Sequence, residues 1–340
     1  MFRPHWLTAV DEPGDRPYER RWAALVVLCT AVLVGQVDTT IVNVALTSIG
    51  EDLGATTSDL QWTMDAYAVT LAGLVLAGGG VADRFGRRRV FMIGLVVFAV
   101  GSIGALFATE PWHLIASRAV MGLGAALFFP PALSLLAVLF PKEERARAVA
   151  IWALIGGLGT ALGPVIGGVL LDSFWWGSVF VVNLPVAVAA FFGAAVLFPE
   201  STRPDADALD RTGALLSIIG LAALVFGLIE GPGRGWTDPS IIIALAIGVG
   251  ALVLFVRYEL RHPHPMVHVD VFRHPAVTGG AIAIIAGGMC MFGMFFLVPQ
   301  VLENVRGDST IVTGLLLAPF GITFIPLALL ADRFVKKYGV

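Results

Sequence analysis

The chain is 340 residues long, 57% hydrophobic and 14% charged, with a net charge of −3. A soluble domain carries about 25% charged residues, so an ordinary water-soluble fold is excluded: this much apolar sequence has no soluble core to fill. The net charge, and the absence of a basic tract of the kind that grips phosphates, argue against a nucleic-acid partner.

The first 21 residues are polar and include Arg16, Arg20 and Arg21. They read as a cytoplasmic segment and not as a signal peptide, because a full-length apolar span follows. A bilayer-crossing helix needs about 20 apolar residues. Ten segments reach that length, give or take a few residues at each end: Trp22–Leu46, Leu60–Ala82, Val90–Phe107, His113–Leu139, Ala148–Leu171, Val179–Phe198, Gly213–Leu228, Ser240–Val256, Ala276–Val301 and Thr310–Leu330. Pro, Gly and charged residues punctuate the gaps. The expected fold class is all-α integral membrane, with the lipid bilayer as its partner.

Basic residues set the orientation. With the N-terminus in the cytoplasm, 19 of the 22 Lys and Arg fall in the N-terminal segment, in every second loop and at the C-terminal end. Arg234 and Arg306 fall outside, and Arg118 alone lies in a span. A wrong helix count would scramble this asymmetry, so the pattern predicts ten transmembrane helices and a cytoplasmic N-terminus. An internal repeat has the same sidedness. Ala82-Asp83-Arg84-Phe85 closes the second span, and Ala331-Asp332-Arg333-Phe334 closes the tenth, 249 residues later. This suggests two halves related by a parallel repeat, with Gly287 standing where the first half has Asp38.

Other chemistry is weakly represented. Cys29 and Cys290 lie inside apolar segments and read as packing residues. His262, His264 and His268 share a Pro-rich cytoplasmic loop that reads as a solvated linker, so no metal site is expected. The absence of a P-loop lysine motif argues against ATP-driven transport. No Ser/His/Asp set is recognisable. The chain is therefore expected to be no enzyme and to need no cofactor.

Four stretches carry a family resemblance. Gly79-Gly-Val-Ala-Asp83-Arg84-Phe-Gly86-Arg87-Arg88-Arg89 makes a tight cytoplasmic turn, with Gly86 permitting the turn and Asp83 within reach of the arginines. It resembles the signature loop of the major facilitator superfamily. Gly159-Thr-Ala-Leu-Gly163-Pro164-Val-Ile-Gly167-Gly168 brings glycines to one helix face and a bend at Pro164. It is similar to that superfamily's antiporter signature, found in exporters and not in importers. Asp38-Thr-Thr40-Ile-Val-Asn43-Val-Ala45-Leu46 resembles the signature of the fourteen-helix drug:proton antiporters, with Thr47 where the family usually has Pro. Arg118-Ala-Val-Met121-Gly122-Leu-Gly124 resembles the family's Arg-x-x-Gln-Gly-x-Gly stretch, with Met121 in place of Gln. Trp62, Tyr67 and Phe180-Val-Val-Asn183-Leu-Pro185 also resemble that branch.

The resemblance implies a major facilitator fold and the following organisation. Residues 1–21 are a cytoplasmic segment, 22–200 a six-helix bundle, 201–260 two extra inter-bundle helices, and 261–340 a linker plus the first two helices of an incomplete second bundle. The implied gating loop is Gly79, Asp83, Arg84, Gly86, Arg87 and Arg88; the implied antiporter motif is Gly159, Gly163, Pro164, Gly167 and Gly168. The implied location is the cell membrane, with protons and a small-molecule substrate as partners.

A charge at the bilayer centre costs about 2.5–3.5 kcal/mol on insertion scales, so intramembrane charges need a reason. Asp38 lies roughly 24 Å into the first span and Asp65 roughly 8 Å into the second from the opposite side, at 1.5 Å per residue. Both sit toward the outer half, where they could share one cavity. Burial disfavours the charged form of a carboxylate, as a proton carrier requires. Arg118 cannot give up its proton, but it can bias a neighbouring acid. Asp38, Asp65 and Arg118 are thus the expected coupling and substrate residues, and Trp62, Tyr67, Asn43, Phe128 and Phe129 the candidates for a cavity wall. The predicted function is proton-coupled efflux of hydrophobic or cationic small molecules by alternating access. The alternatives are an exporter of an endogenous metabolite or lipid precursor, an importer, against which the fifth-span motif argues, and a truncated membrane protein that does not transport.

Overall fold

In the computed structural model, residues 18–202, 210–262, 269–308, 312, 313, 315–317 and 319 are described. All regular structure among them is helical. The helices are α1 (Arg21–Leu53), α2 (Thr57–Phe85), α3 (Arg87–Leu106), α4 (Pro111–Leu139), α5 (Lys142–Ser173), α6 (Ser178–Val181), α7 (Asn183–Leu197), α8 (Arg211–Arg234), α9 (Pro239–Glu259) and α10 (Pro275–Asn304). A short 3₁₀ turn, Val269–Arg273, precedes α10. With α6 and α7 taken as one crossing, eight of the described helices are long and apolar enough to span a membrane. The 30-residue α10 occupies the place of the expected ninth span. The expected tenth span lies largely outside the described residues. Ala331–Phe334, His264, His268 and residues 1–17 lie wholly outside them.

The helices outrun their apolar segments. The sequence ends the first span at Leu46, but α1 continues to Leu53, because Glu51 and Asp52 are tolerated in a helix end that has left the hydrocarbon. Gly54, at φ +61°, then turns the chain left-handed, and its N–H donates to Gly50 O. Two residues later Thr56 opens α2 with a capping box: Thr56 N–H donates to Asp59 Oδ2 at 2.9 Å, and Asp59 N–H to Thr56 Oγ1 at 3.2 Å. The expected sixth span is broken at Val182, where Pro185 lacks an N–H and its ring would crowd the carbonyl of Val181, four residues back.

The buried α1 is the centre of the bundle, packed against α5 and α7. Small residues close the α1–α5 seam. A Cβ on Gly163 would overlap Thr40 Oγ1; one on Gly159 would come within 3.0 Å of Leu33 O, and one on Gly167 within 3.0 Å of Ile41 Cγ1. Pro164 and Gly168 are also buried. On the other side α4 packs along α2 and α3, while α8 and α9 form a hairpin that docks on α2.

Candidate transport cavity

α4 carries Arg118 into the bundle centre, where the guanidinium is wholly buried (0% exposed). Its Nη1 meets Asp38 Oδ2 at 2.5 Å, its Nε donates to Thr63 O at 3.1 Å, and the group lies 4.5 Å from the centroid of the Tyr67 ring. Asp38 is equally buried and accepts a second hydrogen bond on Oδ1, from Asn183 Nδ2 at 2.8 Å. Asn183 Nδ2 also reaches Ser102 Oγ at 3.2 Å. One carboxylate therefore joins α1, α4 and α7, with α3 attached through Ser102. A buried pair of this kind holds together only because each charge answers the other; deleting one partner costs about 3–5 kcal/mol.

Arg118 also borders a cavity of about 610 Å³. Gln36, Thr39 and Asn43 line it from α1 at spacings of three and four residues, which is one helix face. From α2 come Gln61, Asp65 and Tyr67, with Met64 and Leu71 beside them. Phe129 of α4 and Met289 of α10 contribute apolar surface. Mostly apolar walls with a few polar groups are the usual make-up of a small-molecule site.

The two acids expected to share a cavity are thus divided. Asp65 lines it, whereas Asp38 sits about 100° further round α1 than Thr39, behind Arg118. Of the candidate wall residues, Tyr67, Asn43 and Phe129 are at the cavity. Phe128 is buried in the core against Phe91 and Phe98. Trp62 corrects the expectation: its indole N–H donates to Glu230 Oε1 at 3.1 Å and its ring lies against Phe226, so it faces α8 and not the cavity. A carboxylate acceptor on a neighbouring helix decides where that N–H goes. Thr63, Ser102 and Glu230 had no distinguishing sequence signal. Asn183 did have one, as a polar side chain amid an apolar span.

At the far end of α2, Gly86 alone separates α2 from α3. Its φ of +107° suits glycine, and a Cβ there would overlap the Glu200 carboxylate. Asp83 pairs with Arg87 at 2.9 Å, and Arg88 donates to Ala195 O at 2.5 Å. Arg87 N–H donates to Ser201 O at 3.0 Å. Arg84 lies over the neighbouring Phe85 ring, and Gly79 faces Pro130. The turn is thereby tied to the end of α7. Close by, Arg21 makes a two-pronged pair with Glu144, Nε to Oε2 at 2.7 Å and Nη2 to Oε1 at 3.0 Å, which joins the starts of α1 and α5.

Residues 28–340 match the sequence profile of the Major Facilitator Superfamily. The methylenomycin A resistance protein of Streptomyces coelicolor is 36% identical over 322 residues, covering 94% of this chain and 67% of that protein. The multidrug resistance protein Stp of Mycobacterium tuberculosis is 36% identical over 303 residues, covering 89% of this chain and 56% of that protein. This chain thus spans between about half and two thirds of the length of these relatives. A crystal structure of peptide transporter POT in complex with sulfate superposes with a TM-score of 0.51 at 18% identity, covering 75% of this chain and 55% of that one. At that identity it supports the helical transporter fold alone.

Proposed function

Because this chain belongs to the Major Facilitator Superfamily, a family of multi-pass membrane transporters, we propose that the full-length protein is a proton-coupled antiporter exporting hydrophobic or cationic small molecules. The observation that carries this reading is the 610 Å³ cavity with Asp65 on one wall and Arg118, ion-paired to Asp38, on another. Two of its relatives, a methylenomycin A resistance protein and a multidrug resistance protein, support an export direction. The ten-helix count, the cytoplasmic N-terminus and the membership of a fourteen-helix branch are part of the same proposal.

In this scheme the apolar wall takes the body of the solute and Asp65 takes its positive charge or a donor group. A proton and a cation compete for one carboxylate, which is the minimum requirement for exchange. Asp38 is the deeper coupling group. Protonating it removes the charge that holds Arg118, so Arg118 is released toward the cavity and the α1–α4–α7 junction loosens. The Asp83–Arg87 turn and the close glycine seam between α1 and α5 then act as the elements that rock as rigid bodies. The test is reconstitution of the full-length protein in vesicles with an imposed pH gradient. Ethidium should accumulate against its gradient and collapse the pH difference as it does so. Ethidium movement that ignores the pH gradient would remove the proton from the account.

A further inference from the structure

Glu230, near the end of α8, is an acid that the transport scheme does not use. Its Oε1 accepts from Ser58 Oγ at 2.6 Å and from Trp62 Nε1 at 3.1 Å, both on α2. Its Oε2 accepts from Arg234 Nε at 2.8 Å, and its side chain is only 15% exposed. Arg234 and Trp62 both lie against the Phe226 ring, which closes the junction with apolar surface.

α2 carries two stripes. Gln61, Met64, Asp65, Ala68, Leu71 and Ala72 recur at helical spacing and line the cavity. Ser58, Trp62 and Gly73 recur at four and eleven residues, one turn and three turns, and face α8. At Gly73 the helices touch again: Ser217 Oγ donates to Gly73 O at 3.2 Å, and a Cβ on Gly73 would lie 2.9 Å from Ile218 Cγ1, 3.2 Å from Ile218 Cα and 3.5 Å from Ile218 Cβ. α8 thus holds α2 at two points separated by 15 residues, roughly 22 Å. The Glu230 contacts flank Gln61 and end one turn before Asp65.

We propose that Glu230 is a positioning residue for the cavity: through Ser58 and Trp62 it fixes the rotation and height of α2, so that Gln61 and Asp65 face the solute and α8 travels with α2 as one body. This assignment rests on the reading of the cavity as the transport site. A rotation of α2 by one residue is 100°, enough to turn Asp65 out of the cavity altogether. Two donors converging on one carboxylate oxygen, with Arg234 on the other oxygen, resist that rotation more firmly than apolar contact could.

The test uses the full-length protein and ethidium as probe, with equilibrium binding and saturating export rate measured separately. Glu230→Ala is expected to raise the Kd about tenfold with the saturating rate unchanged. Glu230→Gln retains an oxygen for Ser58 and Trp62 and should bind within about twofold of wild type. The Gly73→Cys/Ile218→Cys pair supplies a docking readout, since the Cβ separation suits a disulfide. Oxidation should leave export by the otherwise wild-type protein intact. In the Glu230→Ala background it should restore the lost affinity, which reduction then removes. If Glu230→Ala does not accumulate, Trp62→Phe keeps a ring against Phe226, deletes one donor, and should raise the Kd about threefold. Wild-type affinity in Glu230→Ala or Trp62→Phe, an equal loss in Glu230→Gln, or export arrested by oxidation would each overturn the positioning role while leaving the transport reading standing. A wild-type protein that neither binds nor exports ethidium removes the transport reading, and the positioning role with it.

Discussion

Replacing Asp38 with asparagine preserves size and removes one charge from a fully buried ion pair. In the native pair the carboxylate meets Arg118 at 2.5 Å and Asn183 at 2.8 Å, with both charged side chains 0% exposed. An amide keeps one oxygen for Arg118 but carries no charge, and its NH₂ replaces the oxygen that accepted from Asn183 Nδ2. Arg118 is left as a buried cation with no anionic partner among the described residues, held by neutral groups such as the Thr63 carbonyl, the Met121 sulfur and the Tyr67 ring. The expected cost is about 3–5 kcal/mol, against a typical total stability of about 5–15 kcal/mol. Thermal unfolding in detergent should show a large drop for Asp38→Asn, and proton-coupled export should be lost. The double variant Asp38→Leu/Arg118→Met separates the two effects. Apolar replacement of a whole buried pair is often neutral or stabilising by about 1–4 kcal/mol, so the double variant should recover most of the lost stability while export stays absent. A single variant within about 1 kcal/mol of wild type and still coupled would refute both the buried-charge argument and the coupling role of Asp38.

Asp65→Asn should weaken ethidium binding at the cavity while leaving the melting temperature close to wild type, because among the described residues Asp65 has no ion-pair partner of the kind that Asp38 has; calorimetric binding and a melting curve check both halves. Gly163→Ala should destabilise by about 1–3 kcal/mol, since the new Cβ would overlap Thr40 Oγ1 in the α1–α5 seam, and unfolding in detergent reads this directly. Arg87→Ala and Asp83→Asn should slow export at unchanged ethidium affinity, and transport at wild-type speed in both would refute the gating role. The 75%-exposed Arg89 side chain gives a topology probe. Arg89→Cys should resist an impermeant thiol reagent in intact cells and react after permeabilisation.

Hydropathy and basic-residue counting were enough to anticipate a helical membrane fold and the approximate course of α1 to α10. They set α1 seven residues short, because hydropathy reports where the hydrocarbon ends and not where the backbone bonds end. The Gly159–Gly163–Gly167 face was legible because glycine spacing on a helix dictates close approach. The Arg118–Asp38 contact was only half legible. Each was conspicuous as an intramembrane charge, yet no pattern within one segment could pair residues 80 positions apart. Trp62 shows the converse. Its motif suggested a cavity residue, but its direction was set by Glu230, which lies just past the expected end of the seventh span and so read as loop. Side-chain direction on a helix depends on what the neighbouring helices offer, and that information is spread over the whole chain.

In the proposed exchange, export through this cavity is coupled to protons through Asp38. The most direct test is ethidium-driven proton movement in vesicles containing the full-length protein, with Asp38→Asn alongside. Proton flux with wild type should rise with ethidium and be absent with Asp38→Asn even where ethidium still binds. Equal ethidium-driven proton flux from wild type and Asp38→Asn would contradict it.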